Sequence, residues 1–457
     1  MRWERILLVT LLIGRISVFL RRIREIIGFD AGSHLQMLEL LSWAHPNIGV
    51  RETFYSYHPP LGFLIPHSIQ TLFGISPERS VQWTSFLAGL AVFFFLRETL
   101  KHCRLLYRPS GIAFLYLASS IPIQVSVSTS INLDGIVLSL AAAVFCTSVH
   151  MLWPGSAFED FHQPDRPLPL RFGMEDPLVR SRMHDCIVAM IALCSALAGA
   201  ALTKFSGVVL LAIPAFVAWA QPYGRGWWRR TSIGAMGCAL AIAMVFPYYF
   251  ARYYAQEGRF FPLTAEWNAE GEVHDAIAAR QKDPEAFFAE LFAPTPVHAA
   301  QGPTFVDTNV NHLSDTWRDI WIRNQFIGET TPGALRMGLA YMGVAPWLML
   351  IGFIIFLKRI GRRTPWIRLG WVLLGFSLLQ CAALIQYIYR VPFAGWYPAK
   401  GLYILPSIWG ITYLIVTAFS DHRIVPQILR RHIPLLQHAL MGVVTVFVIL
   451  NHGIPVY

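Results

Sequence analysis

The chain has 457 residues, of which 55% are hydrophobic and only 14% are charged, and its mean hydropathy is +0.47. Soluble globular domains carry about 25% charged residues, so most of this chain is excluded from contact with water. The net charge of +10 does not indicate nucleic-acid binding, because the basic residues stand in short clusters between apolar runs. The six cysteines are scattered and form no CxxC pair, so neither a zinc site nor a redox motif is indicated.

The chain begins with one short apolar run and a mixed segment. The run covers Ile6–Leu20 and is interrupted by Arg15. No small-residue cleavage site follows it, so we interpret it as a retained first helix and not as a removed signal peptide. Residues 21–79 then form a first outer loop, in which Arg21–Gly74 lacks a continuous apolar run of spanning length. In this loop we predict amphipathic helices that lie along the membrane interface.

Further apolar runs follow, and with the first run they predict an all-α polytopic membrane protein with about eleven transmembrane helices. The runs are Val81–Phe95, Ile112–Val127, Leu133–His150, Cys186–Leu202, Gly207–Trp219, Ser232–Tyr249, Met337–Leu357, Gly370–Tyr389, Leu402–Ala418 and Ala439–Leu450. The pattern divides the chain into an N-terminal transmembrane module (residues 1–250), an outer, periplasmic loop (residues 251–336) and C-terminal transmembrane helices (residues 337–457).

The charges of the connecting loops predict the orientation in the membrane. With the N-terminus in the cytoplasm, the clusters of basic residues between the runs lie inside, as the positive-inside rule requires. Residues 251–335, with 12 acidic and 6 basic side chains, then lie outside, and an odd number of helices places the C-terminus in the periplasm. We therefore predict a multi-pass protein of a bacterial inner membrane. Arg21, Arg22 and Arg24 are an exception on the outer side, and either snorkel to lipid headgroups or serve a phosphate site.

The most informative charges stand near the outer ends of the runs, because an ionisable group costs about 2.5–3.5 kcal/mol at the bilayer centre. Asp30 stands in the first outer loop, and in a helix beginning there Asp30 and His34 lie on one face. Asp30 can accept a proton from an acceptor hydroxyl, and it can equally cap the helix. His34 can be functional or an interfacial histidine, and the two residues could share a divalent metal ion.

Two further motifs stand at outer ends of runs. Tyr57 and His58 precede Pro59-Pro60, which fixes an extended backbone that can hold a polar group at the membrane surface. An ordinary interfacial turn explains the same residues. Asp134 follows Asn132 at the start of a spanning run, where both residue types are also preferred helix caps.

Basic residues complete this side of the chain. Lys204 stands in a tight turn between two runs, where it could reach a lipid phosphate as a point charge. Arg390 and Lys400 flank the last short outer loop together with aromatic residues that include Tyr403. Snorkelling cations and an aromatic belt explain the same pattern without a function. No Walker loop, GxSxG or HExxH occurs, so nucleotide hydrolysis and those hydrolase classes lack support.

Four motifs follow one another in order along the chain. Asp30 in the first outer loop is followed by His-Pro-Pro-Leu at 58–61, Asn-Leu-Asp at 132–134 and Leu-Thr-Lys at 202–204. This order resembles the GT-C membrane glycosyltransferases, and in particular the group of protein O-mannosyltransferases and lipid A aminoarabinose transferases. The first-loop pattern of that group is similar to Asp30 and His34.

Later segments extend the resemblance over nearly the whole chain. They are the stretch that begins at Leu313–Trp317 and the late segment Lys400–Pro406, where many relatives have a Gly-Arg-Tyr-Leu-x-Pro version. The chain also departs from the group. Ala31 stands where many relatives have Glu, and His58 stands where aminoarabinose transferases have Lys before the proline.

The resemblance implies transfer of a sugar, with inversion, from a polyprenyl-phosphate donor to an acceptor hydroxyl on the periplasmic side. Asp30, with His34 beside it, would deprotonate the acceptor. Lys204, Arg390 and Lys400 would stabilise the departing phosphate. Substrate binding would also involve His58, Tyr57, Tyr403 and Asp134. The partners implied are membrane lipids and a glycan, lipid or protein acceptor; no nucleic acid and no inorganic cofactor is required.

Two other classes of membrane protein stay open at this point. A secondary transporter or lipid flippase predicts two related halves and ionisable groups near the membrane midplane. A ligase or oligosaccharyltransferase would use a diphosphate-linked glycan and also fits one long outer loop. Within the glycosyltransferase hypothesis, mannose, arabinofuranose, aminoarabinose and glucose are all candidate sugars.

Overall fold

The structure of the protein is a computed structural model that describes most of the chain. The described residues are 2–23, 26, 31–41, 58–153, 177–220, 227–258, 260, 285, 316–317, 320–321, 332–362, 364–390, 401–420 and 433–453. Within these ranges every regular element is a helix, so the predicted all-α class is confirmed.

The helices are labelled in chain order. They are α1 Arg2–Arg22, α2 Ala31–Leu40, α3 Leu61–Phe73, α4 Pro77–His102, α5 Pro109–Ser120, α6 Pro122–Val127, α7 Asp134–Leu152, α8 Pro177–Thr203, α9 Ala212–Trp219, α10 Trp227–Tyr249, α11 Pro332–Arg359, α12 Pro365–Arg390, α13 Ile408–Ser420 and α14 Ile433–Gly453. Two 3₁₀ helices, Phe205–Leu211 and Gly401–Ser407, lead into α9 and α13, and a π-helix, Phe250–Tyr254, continues α10.

Prolines and a glycine set several helix ends. α4 begins with Pro77 at its first position, where a missing N–H removes no helical hydrogen bond. α3 ends at Gly74, whose φ of 60° is left-handed. Ile121 is extended because Pro122 follows it, and this residue separates α5 from α6. The predicted single span Ile112–Val127 is therefore two short helices.

The membrane-spanning pattern agrees in part with the predicted runs. Among the described residues, six helices are long and apolar enough to cross a membrane: α4, α7, α8, α10, α11 and α12. Shorter apolar segments cover Leu61–Phe73, Phe205–Trp219, Ile404–Phe419 and Leu440–His452. The predicted runs thus fall on helices, and six of the eleven predicted spans meet the length and hydropathy of a span.

The core of the bundle lies around α7. Helix α7 packs between α4 and α8, α8 packs on α10, and α13 packs against α5, α11 and α12. Large fully buried side chains fill this core, including Trp409, Tyr116, Phe93, Phe114 and Phe145. On α10 and α11, by contrast, large apolar side chains such as Met244 and Trp347 are more than half exposed, as expected of helices that face lipid.

Arg22, at the end of α1, is buried, and this excludes one of the two alternatives that the sequence left open for it. Arg22 is 1% exposed, and its Nη1 donates a hydrogen bond of 2.8 Å to Thr129 Oγ1. Gln82 Nε2 donates in turn to the carbonyl oxygen of Arg22 at 3.0 Å. Arg21 Nη2 donates to the carbonyl oxygen of His452 at 2.8 Å. Arg22 therefore points into the bundle and does not snorkel to lipid headgroups.

Candidate functional site

An ion pair lies at the end of the bundle where α7 begins and α8 ends. Lys204 Nζ donates a hydrogen bond of 2.6 Å to Asp134 Oδ1, across 70 positions of the chain. The two side chains are 16% and 9% exposed, respectively. Charge-assisted bonds of this length are among the stronger hydrogen bonds of proteins. The structure thus joins two of the residues that the sequence singled out separately.

A tight turn positions Lys204. α8 ends at Thr203, and Lys204 has an extended backbone with φ −158° and ψ 147°. Its N–H still donates to the carbonyl of Ala200, and its carbonyl accepts from the N–H of Gly207 at 2.8 Å. A Cβ at Gly207 would collide with the Ala200 carbonyl, so glycine permits this turn. The predicted tight turn is confirmed.

Asn132 and Asp134 bind different partners at the start of α7. Asn132 Oδ1 accepts a hydrogen bond of 2.6 Å from the Asp134 N–H, and Ser85 Oγ donates to the Asn132 carbonyl at 2.6 Å. Asn132 therefore satisfies the first N–H of α7 from the position before the N-cap, Leu133, and the Asp134 carboxylate pairs with Lys204. The carboxylate also stands in the first turn of α7, where the positive end of the helix dipole stabilises it.

His58 lies near Lys204, in the bend before α3. Its side chain is buried, and its ring centroid is 5.9 Å from that of Phe205, which follows Lys204. Burial, and then the positive charges of Lys204 and His34, hold the pKa of His58 well below its usual range. The imidazole is therefore neutral at neutral pH, and one ring nitrogen can donate a hydrogen bond while the other accepts one.

His34 joins the same region from α2. Its side chain is 5% exposed, and its ring centroid is 5.8 Å from that of Phe63 on α3. The structure thus brings together four of the predicted site residues: His34, His58, Asp134 and Lys204. Asp30, Tyr57 and Lys400 lie outside the described residues, and for Arg390 and Tyr403 the backbone alone is described.

One buried cation that the sequence did not single out, Arg252, packs on the aromatic residues beside Phe205. Arg252 is 8% exposed on the π-helix, and its guanidinium carbon is 5.9 Å and 5.8 Å from the ring centroids of Tyr248 and Tyr253. The Tyr253 ring is in turn 5.3 Å from that of Phe205, directly after Lys204 in the chain. The signal was an arginine flanked by tyrosines at the end of a spanning run. In the sequence, Arg252 is one of the six basic residues of the acidic outer loop.

Comparison with solved structures identifies the fold. The chain matches the crystal structure of ArnT from Cupriavidus metallidurans bound to undecaprenyl phosphate, with a TM-score of 0.53 and 13% identity over 98% of this chain and 75% of that chain. ArnT is a lipid A aminoarabinose transferase of the GT-C type. The chain has a GT-C-like fold. The predicted resemblance to this group is thereby confirmed at the level of fold.

The other comparisons find one more structure, again of ArnT, and no matching family or curated protein. The apo-state crystal structure of ArnT from the same organism matches with a TM-score of 0.39 and 14% identity, over 90% of this chain and 76% of that chain. No family profile and no curated protein matches the sequence. With its long apolar helices, the GT-C-like chain is a multi-pass membrane protein.

Metal binding was an open question for Asp30 and His34. In the described part of this GT-C-like chain, no three His, Cys, Asp or Glu side chains come together as a metal site. Asp30 is outside that part, so the suggested metal pair stays a prediction. What the described residues offer is a cation held by a carboxylate, a neutral imidazole near it, and a second cation that packs on Tyr253, a neighbour of Phe205.

Proposed function

We propose that this protein is a glycosyltransferase that moves a sugar from a polyprenyl-phosphate donor to an acceptor hydroxyl on the periplasmic side of a bacterial inner membrane. The observation that carries the proposal is the buried Lys204–Asp134 ion pair in a bundle of GT-C-like fold. The His58 and Tyr253 rings lie beside Phe205, the residue after Lys204, and Arg252 packs on Tyr253. The ArnT structure that matches this chain holds undecaprenyl phosphate, a ligand with the chemistry proposed here for the donor.

The reaction makes one bond and breaks one. The acceptor oxygen attacks the anomeric carbon from the face opposite the phosphate, and the bond between that carbon and the phosphate oxygen breaks, so the configuration inverts. Asp30 takes the proton of the acceptor hydroxyl as general base, a role that contributes about 10²–10⁴-fold in other enzymes. The leaving group is polyprenyl phosphate, which gains one negative charge as it departs.

Cations stabilise that departing charge. An ammonium carries three donors, so Lys204 can serve Asp134 and a phosphate oxygen at the same time. Asp134 fixes Nζ in place, and this preorganisation is what makes electrostatic stabilisation effective in a dry site. Arg252, Arg390 and Lys400 supply further positive charge to the phosphate.

The remaining predicted residues contact the sugar and the acceptor. His58, which is neutral at neutral pH, can accept from one sugar hydroxyl and donate to another. His34 stands beside it, and Tyr57 and Tyr403 supply an aromatic surface and a hydroxyl each. The acceptor is a glycan, a lipid or a protein, and residues 251–336 help to bind it.

The test is a transfer assay with purified full-length protein in detergent. A panel of polyprenyl-phosphate sugars is offered with membrane extract as the source of acceptors, and loss of sugar from each lipid is followed. Asp30→Asn and Lys204→Met are run in parallel. Lys101→Met is the matched control, because Lys101 also pairs with a carboxylate, that of Glu98 at 3.0 Å. The Lys101 side chain is 54% exposed and lies at the C-terminal end of α4.

The proposal predicts that one donor lipid loses its sugar. This loss should be absent in Asp30→Asn and Lys204→Met and present in Lys101→Met. The anomeric configuration of the product, read by NMR, should be opposite to that of the donor. If no donor loses its sugar, the proposal is wrong, and diphosphate-linked glycans become the next substrates to offer.

A further inference from the structure

Two arginines of α1 reach the same short segment of the chain. Arg15 and Arg22 are each 1% exposed and stand seven residues apart, close to two helical turns, on one face of α1. Arg15 Nη1 donates to Ser128 Oγ, and its Nη2 donates to the Ser119 carbonyl oxygen. Arg22 Nη1 donates to Thr129 Oγ1 at 2.8 Å. Both guanidinium groups thus bind the connection that leads from α6 to α7.

This connection, residues 128–133, is non-helical and buried. Ser128 is 2% exposed, Thr129 0% and Asn132 1%. In a membrane protein, irregular backbone is tolerated only where protein groups satisfy its polar atoms. Here Thr129 Oγ1 also donates to the Val125 carbonyl at 2.8 Å, and Ser85 Oγ donates to that of Asn132. The connection is therefore held by side chains of α1 and α4 and by the backbone of α6.

The packing around Arg15 is built to admit its guanidinium. A Cβ at Gly89 of α4 would collide with Ser128 and would lie 2.8 Å from Arg15 Nη1. Burying an arginine inside a membrane bundle is expensive, and arginines that are buried in this way face the bundle interior and mark functional regions. Arg15 shows this arrangement, because it is buried and binds a hydroxyl and a carbonyl.

We propose that Arg15 and Arg22 are positioning residues for the proposed transferase site, which they reach through residues 128–133. The path consists of hydrogen bonds at its two ends, joined by the buried backbone of residues 129–132. The arginines fix Ser128 and Thr129, the Asn132 side chain fixes the first N–H of α7, and the Asp134 carboxylate at that position holds Lys204. The inference rests on the proposed function, since it assigns these arginines to the placement of Lys204 for the donor phosphate.

The sharpest perturbation removes one acceptor in this path. Thr129→Val deletes the hydroxyl that accepts from Arg22 and keeps the shape of the side chain. Thr129→Ser restores a hydroxyl. Thr417→Val is the matched control: Thr417 Oγ1 likewise donates to the carbonyl four residues earlier and accepts from another side chain, Trp366 Nε1 at 3.1 Å, and it is 1% exposed on α13.

Two measurements report the effect of Thr129→Val on the site, and one of them does not require catalytic turnover. The first is kcat for sugar loss from the donor. The second is the rate at which an amine-reactive reagent acylates Lys204 in the full-length protein, measured by mass spectrometry of the peptide. An ammonium held by a carboxylate is acylated slowly, so Asp134→Asn defines the fast limit for a released Lys204.

We expect Thr129→Val to lower kcat about tenfold or more, as small misplacements of catalytic groups do, and to raise the acylation rate of Lys204 towards that of Asp134→Asn. Thr129→Ser should keep both values near wild type, and Thr417→Val should change neither. In the Asp134→Asn background, Thr129→Val should add no further change in acylation, because its effect passes through Asp134.

An unchanged acylation rate in Thr129→Val overturns the positioning role. So does an equal rise in Thr417→Val, which would show a general loosening of the bundle. If wild type turns over no donor but the acylation pattern is as expected, the proposed transfer reaction fails while the structural coupling of α1 to Lys204 stands.

Discussion

Replacing Lys204 by methionine separates the structural and chemical roles of the ion pair. Methionine keeps much of the side-chain volume and removes the charge. The Asp134 carboxylate, 9% exposed, then loses its ammonium partner. The variant is therefore expected to lose both stability and transfer activity, for two different reasons that a second substitution can distinguish.

The loss of stability follows from the geometry. At 2.6 Å and an effective dielectric constant of about 20, the Coulomb attraction is about 6 kcal/mol. Desolvation offsets part of it, and removal of one partner from a buried pair costs about 3–5 kcal/mol. Because Lys204 is 16% exposed and the dipole of α7 supports the carboxylate by about 0.3–1 kcal/mol, we expect about 3 kcal/mol, the lower end of that range.

Adding Asp134→Asn to Lys204→Met removes the uncompensated charge. The double variant should recover most of the lost stability, since no buried ion is left without a partner. Activity should not recover, because the cation that stabilises the leaving phosphate is still missing, and loss of such a group lowers the rate about 10²–10³-fold. Lys101→Met, at a pair that is largely exposed, should change stability by less than about 0.5 kcal/mol.

The assay combines thermal unfolding in one detergent with the donor-consumption rate. Wild type, both single variants, the double variant and Lys101→Met are measured side by side. A double variant as unstable as Lys204→Met would show that the loss did not come from the stranded carboxylate. Wild-type transfer by Lys204→Met would remove Lys204 from the phosphate site.

Four other substitutions test separate parts of the region. Asp30→Asn should abolish sugar loss while membrane insertion stays intact, and transfer at the wild-type rate would exclude Asp30 as the base. Because the folded state holds the pKa of His58 low, the unfolded chain alone binds a proton below about pH 6.5. Wild-type stability should therefore be full above that pH and fall as the pH drops, and His58→Gln should flatten this fall between pH 7.5 and 5.5 in thermal unfolding. Gly89→Ala should destabilise by about 1–3 kcal/mol through its collision with Ser128, whereas Gly442→Ala, with open space around it, should not destabilise. Arg252→Gln should lower kcat about 10²-fold if its charge supports the phosphate, and a wild-type kcat would exclude that role.

The elements that the sequence predicted are those that depend on local pattern. An apolar run of spanning length predicts a helix without reference to the segments that pack against it. The turn at Lys204 is predicted by a polar residue between two such runs, with Gly207 three residues later. The break at Ile121 was also local, because Pro122 demands an extended residue before it. The mean hydropathy of the run Ile112–Val127 is high despite Pro122, so hydropathy alone predicts one span where the structure has two helices.

Partners far apart in the chain could not be predicted in the same way. The hydrogen bond from Arg22 to Thr129 spans 107 positions, and that from Lys204 to Asp134 spans 70. Nothing in the local sequence of Arg22 separates an inward-facing arginine from one that snorkels. Likewise, Asn132 and Asp134 are both of a residue type that caps helices, and only the packing of α4 and α8 around them decides which one accepts the first N–H of α7 and which one pairs with Lys204.

The 3₁₀ helix after Lys204 has a consequence for how far this part of the chain reaches across the bilayer. Phe205–Leu211 has seven residues and α9 has eight; at about 2.0 Å and 1.5 Å of rise per residue they extend about 26 Å together. The same residues wound entirely as α-helix would extend only about 22.5 Å, against a hydrocarbon thickness of about 30 Å. Because Phe205–Leu211 is a 3₁₀ helix, this fifteen-residue segment comes within a few ångströms of the hydrocarbon thickness. Converting Phe205–Leu211 to α-helix would move Lys204 about 3.5 Å deeper into the bilayer.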